Sequence, residues 1–153
     1  MPASLYYEEK ALNQILKKEA FTATKSYLGL SSFKLEAGEL TKKTTGTEFT
    51  AKEPTSGNGW QRVQLDEMEW TVTKAEGATG FTIYENKNAI KGGGAANEFK
   101  KVTGGEVVCR TFAICDAATN GNILAFGTLA VNITVNSAAT VEVAAKELKL
   151  EAE

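Results

Sequence analysis

From Glu106 to Val135 the chain reads EVVCRTFAICDAATNGNILAFGTLAVNITV. Two apolar runs flank a connection built on Asp116 and Asn120-Gly121-Asn122. Asn-Gly supplies the positive backbone φ that a tight hairpin connection needs, and runs rich in β-branched residues suit strands rather than helices. The spacing therefore predicts one long β-hairpin. A chain committed to such a hairpin must cover it with further strands or with helices laid on its faces.

The flanking segments supply mostly strands. Ser26–Phe33 reads as a strand with Leu28 and Leu30 on one face, and Gly80–Glu85 alternates Phe81 and Ile83 against Thr82 and Tyr84. Val63 and Leu65 share one parity, whereas Met68, Trp70 and Val72 share the other. A period of two cannot change phase without an extra residue, so a bulge or strand break is expected at Asp66-Glu67, with the acidic pair at a sheet edge. Trp70 is assigned to the core with Met68 and Val72, as are Tyr27, Phe81, Phe112 and Phe126. Val141, Val143, Leu148 and Leu150 close the domain as one or two strands, although AAKELKLEAE has a helical character too.

One helix stands out. Leu5, Leu12, Ile15 and Leu16 recur at helical spacing with Ala11, Ser4 can cap the start, Glu8 and Glu9 lie near the positive end, and Lys17 and Lys18 near the negative end. The pattern predicts a helix over Leu5–Glu19. Its narrow stripe packs on its own domain or, in a multimer, on a neighbour. The segment Glu36–Gly59 is polar and rich in Gly, Thr, Ser and Lys. It is too long for a tight turn. Two readings stand: a surface arm ordered only against a partner, or a plain excursion with a short strand at Glu48-Phe49-Thr50. Together these readings give a mainly β fold: a β-sandwich-like domain of about seven to nine strands with one amino-terminal helix, residues 1–153 forming a single domain.

Composition narrows the chemistry. The 153 residues contain no histidine, which removes the commonest general base and metal ligand and excludes serine–histidine and cysteine–histidine nucleophile systems. A net charge of −2 provides no basic field for nucleic acid. No apolar run approaches the ~20 residues of a membrane span. Gly92-Gly93-Gly94 lacks the Lys-Ser/Thr of a phosphate loop and reads as a flexible tip. The Asp116–Asn122 turn lacks the carboxylates of a calcium loop. Asp66, Glu67 and Glu69 offer acid–base spacing, but so does any polar strand. No catalytic, cofactor or metal residue is assigned, and no enzyme is expected. Cys109 and Cys115, if on one extended strand, stand roughly 20 Å apart, far beyond the ~7 Å a disulfide spans. Their even spacing predicts a shared face, where they act as buried hydrophobes or, alternatively, bridge between molecules. With no secretory signal at its start, the chain is expected to be made in a cytoplasm.

Several segments, taken in order, resemble a family of small tailed-phage virion proteins described as capsid decoration (cement) proteins and as tail-fibre-like or minor tail proteins. The leading helix running into Tyr27-Leu28-Gly29-Leu30, then Gly46-Thr47-Glu48, then Gly59-Trp60-Gln61-Arg62, and finally FAICDAATNGNILAFGTLA through Phe112, Ile114, Asp116, Gly121, Leu124, Gly127 and Leu129 carry the likeness. The chain departs from the pattern in its long polar stretch, which lacks a compact Asp-Pro turn. The resemblance implies a structural protein of the virion, present in many copies and clustered symmetrically, for example as trimers. It implies the major capsid protein as partner, the chain bridging subunits on the outside of an icosahedral head. A tail-fibre or minor tail subunit is the alternative, and a carbohydrate-binding β-sandwich using Trp60 a further one. The candidate contact residues are Leu5, Leu12, Ile15 and Leu16 on the helix, Lys42, Lys43 and Phe49 on the polar arm, and Trp60 and Arg62 beyond it.

Overall fold

A computed structural model describes residues 3–17, 25–54, 60–66, 68–74, 82–91, 99, 102–137 and 141–152. Among them are two helices and seven strands: α1 (Leu5–Leu16), β1 (Tyr27–Ser31), α2 (Gly46–Thr50), β2 (Val63–Gln64), β3 (Trp70–Lys74), β4 (Thr82–Asn86), β5 (Glu106–Cys115), β6 (Ile123–Asn136) and β7 (Lys149–Ala152). The first helix is shorter than expected: it ends at Leu16, with Lys17 as its C-cap, rather than at Glu19. Phe81, Glu67 and the triple glycine lie outside the described residues.

The fold is mainly β. Four strands form one antiparallel sheet in the order β2-β1-β5-β6, and three form a second in the order β3-β4-β7. The expected hairpin is β5–β6. At its tip Asn120 (φ 53°) and Gly121 (φ 67°) take the left-handed conformation. Asp116 accepts from the backbone N–H of Asn122 at 2.7 Å and from its side-chain amide at 2.8 Å. Turn chemistry alone accounts for this Asp and these two Asn. β2 ends at Gln64 and β3 begins at Trp70 in the other sheet, so the change of phase near Asp66 is a strand break at which the chain changes sheets. Asp66 secures the corner by accepting from Ser26 N–H at 2.6 Å.

The four-stranded sheet is covered on both sides. On one face Leu28, Leu30, Val63, Phe112, Ile114 and Val135 join a core that reaches Ile90, Val143 and Leu148, and Met68 and Trp70 pack against it from the second sheet's side. On the other face Ala113, Cys115, Ile123 and Phe126 meet Phe33, Leu40 and Phe49. Burial on both faces is why β5 is continuously buried from Thr111 to Cys115 instead of alternating.

The second face corrects the reading of the polar segment. It is not a free arm, and Glu48-Phe49-Thr50 is not a strand. Its described part, residues 36–54, folds back as a layer of the domain, and its centre is α2. Thr45 and Glu48 form a reciprocal capping box: the Thr45 side chain accepts from Glu48 N–H, and the Glu48 carboxylate accepts from Thr45 N–H. The Thr45 N–H and hydroxyl, both donating to the carboxylate, hold the Glu48 carboxyl below its usual range. Gly46 sits against the hairpin tip so closely that a Cβ there would lie 2.1 Å from the Gly121 carbonyl oxygen.

Two further expectations fail for identifiable reasons. Cys109 and Cys115 do not share a face: Cys109 lies in the first core and Cys115 in the second. The β5–β6 register shifts between Cys109 and Thr111, and one irregular step reverses the faces beyond it. Both cysteines are buried free thiols. Val72 is 46% exposed rather than core; it pairs across the edge strand β3 with the similarly exposed Tyr84.

Candidate interaction surface

α1 is held at its beginning. Ser4 caps it, accepting from Tyr7 N–H at 3.2 Å. Ser4 N–H donates to the Leu124 carbonyl at 3.0 Å, its hydroxyl donates to the Ile123 carbonyl, and Ala3 bridges to Ala125. The β6 register shifts at this point, leaving Leu124 as an extra residue. From the polar segment, Lys42 accepts Leu5 N–H through its carbonyl at 3.2 Å and pairs its ammonium with Glu8.

Beyond this base the helix touches the domain little. None of its residues is buried, and Tyr6 is its one residue packed against the main core. With about 100° between successive residues, Leu5, Leu12 and Leu16 align in a strip about a quarter-turn from Tyr6. Leu5, Leu12, Ile15 and Leu16 are 45%, 56%, 64% and 75% exposed. The stripe predicted from the sequence thus exists, and its own domain leaves it uncovered. A helix of 12 residues is marginal in water by itself, so an uncovered apolar face gives it a strong reason to find a partner. Lys42 and Lys43 are exposed beside the helix base.

The other candidates are interior. Phe49 is fully buried in the second core. Trp60 is 9% exposed and stacks on Phe99 with ring centroids 5.4 Å apart, so it presents no platform for a sugar. Arg62 is 3% exposed and lies over the Phe49 ring. All five of its N–H donors find acceptors. Nε donates to the Glu53 carboxylate at 3.0 Å, and Nη2 to the same group and to Thr50 Oγ1, both at 2.8 Å. Nη1 donates to the carbonyls of Ala117 at 2.9 Å and Asn120 at 3.0 Å. Trp60 Nε1 also donates to Glu53. Burial pushes the Glu53 carboxyl above its ordinary 4.5, with the hydrogen bonds and charge of Arg62 pulling the other way. This cluster fastens the α2 layer to the hairpin tip and is architecture rather than surface.

A second surface feature has no signal in the sequence: an apolar groove of about 300 Å³ between β6 and the segment before β7. Leu28 and Leu30 form its floor, and the exposed Val131 stands on its wall. It exists because β6 bulges there, an irregularity that strand periodicity alone does not reveal.

The helix, the β1 strand, the α2 cap and the hairpin fall in the order of the virion-protein resemblance. A family described as podophage GP4 fiber I protein gp80 matches residues 2–151. The chain belongs to that family. No curated protein matches it. Membership in the fiber I family makes the chain a phage virion protein, and that match does not single out capsid decoration. In this chain the candidate contact surface is α1 with the Lys42-Lys43 loop at its base.

Proposed function

We propose that the chain is a non-enzymatic fibre subunit of a podophage virion, working as a homo-oligomer and contacting its neighbours through α1. The family match over residues 2–151 carries this reading, because the family is described by a fibre protein. The uncovered stripe of Leu5, Leu12, Ile15 and Leu16 supports it, since a subunit joined to others needs an apolar face that its own fold does not use. Decoration of the head is the second reading, one of the two roles that the resemblance of the ordered segments, the β5–β6 hairpin among them, implies. There the major capsid protein is the partner, and repetition over a symmetric shell multiplies a modest contact.

Gold-labelled antibody against the chain, applied to purified particles, separates the two. Label confined to the tail region, with few copies per particle by quantitative mass spectrometry, is expected. Label spread over the head in many copies would replace the fibre reading with decoration. No label on intact or disrupted particles would remove both.

A further inference from the structure

The β5–β6 register places the four residues Leu129–Asn132 opposite the single residue Arg110. β6 therefore bows outward, and Val131 at the bow is 72% exposed. The groove beneath the bow is walled by Leu129 and Ile133 on one side and Leu148 on the other. Among the described residues its charged lining is Glu142 and Glu147, both exposed, with no lysine or arginine. It is an apolar slot with an acidic rim, at the small end of the range that encloses a ligand, about 300–1,000 Å³.

α1 has the complementary character. Its stripe ends in Ile15 and Leu16, its most exposed apolar residues, and Lys17 follows directly. None of the ion pairs among the described residues uses Lys17, Glu142 or Glu147. The stripe of the same chain does not line the groove.

From these two faces we infer that α1 of one copy docks into the β6 groove of the next, with Ile15 and Leu16 in the slot and Lys17 at the glutamate rim. Exposed ion pairs add little affinity, so the apolar side chains hold the contact and the charges orient it. The two faces are different surfaces, so the contact is head-to-tail: it closes into a ring where the rotation allows and otherwise extends as a filament. This gives a mechanism for the homo-oligomer in the proposed function. Its success is read in solution, independently of where particles carry the chain.

The test pairs two full-length variants. Ile15→Asp with Leu16→Asp removes the inserted residues. Ala144→Trp fills the groove from an exposed position. By light scattering coupled to size exclusion, wild type is expected to assemble, and each variant alone to run as a monomer with association weakened at least tenfold. Mixed, they should form a one-to-one heterodimer that grows no further, because only one working helix and one open groove remain. A second pair guards against misfolding: Lys17→Glu should weaken assembly, and combining it with Glu142→Lys and Glu147→Lys should restore it. Wild type that stays monomeric up to its solubility limit would overturn the inference. So would either monomer-expected variant assembling like wild type, or a folded mixture that forms no heterodimer.

Discussion

Single residues in this molecule carry chemistry that titration and labelling can read. The folded Glu53 carboxyl holds its proton to a higher pH than the unfolded one, because burial outweighs Arg62. The stability this contributes is complete below the unfolded value and is lost as pH rises through the folded one. Wild type should therefore lose unfolding free energy relative to Glu53→Gln as pH rises from about 4 through the raised value. Urea titrations across that range check it, and a difference that moves the opposite way would show the carboxyl shifted downward. Burial above all pushes the Cys109 and Cys115 thiols up to about 12. The thiolate is the reactive form, so a thiol reagent at mildly alkaline pH should label neither cysteine in the folded protein and both in denaturant. Rapid labelling of the native chain would contradict their placement in the two cores.

At the scale of elements, the α2 layer shows what close approach demands. A Cβ on Gly46 would meet the backbone oxygens of Gly121 at 2.1 Å and Asn120 at 2.5 Å, and backbone cannot swing away as a side chain can. Gly46→Ala should cost about 1–3 kcal/mol, the usual range for overpacking. Thermal or chemical unfolding measures it; an unchanged midpoint would mean that α2 does not rest on the hairpin tip. The same layer shows what the sequence conceals. The hairpin was legible because Asn120-Gly121 announces its own geometry. The strand break after Gln64 was legible because parity is conserved along a strand. α2 was misread although Thr45 and Glu48 spell a capping box, because a five-residue helix in a polar stretch leaves no periodic stripe. The shared face assigned to the cysteines failed at the Arg110 irregularity, and Val72 at an edge that nothing described covers. Both depend on which strands become neighbours, and local pattern does not encode that.

For the molecule as a whole, the helix is the part that folding alone leaves unfinished. α1 has no buried residue; hydrogen bonds and an ion pair at Ser4, Leu5 and Glu8 and the packing of Tyr6 tie its first turn to the domain. Removing residues up to Lys18 should shift the unfolding midpoint modestly while abolishing self-association. Circular dichroism and sedimentation measured side by side test this. A truncated chain that still assembles fully would place the contact elsewhere. The helix stripe was readable as a stripe because amphipathic spacing survives without tertiary context, but whether its own domain covers it was not; Lys42-Lys43 were readable as exposed from their charge. Phe49, Trp60 and Arg62 were not readable as interior, because an arginine inside a domain is recognisable only once its acceptors are known.

Those acceptors also bear on the order in which the chain assembles. Arg62 bonds to residues 9, 12, 55 and 58 positions away. Its donors meet acceptors only after α2 has been laid on the sheet and the hairpin tip has closed. The cluster is expected to form late in folding, so its loss should act on escape from the native state rather than on the climb toward it. Arg62→Ala leaves a buried carboxylate without its partner and should destabilise the protein by about 3–5 kcal/mol. Stopped-flow kinetics should show nearly all of that as faster unfolding, with a φ value of about 0–0.3. A knot tied last would set how long the folded protein endures, and a virion protein has to stay folded for as long as its particle lasts.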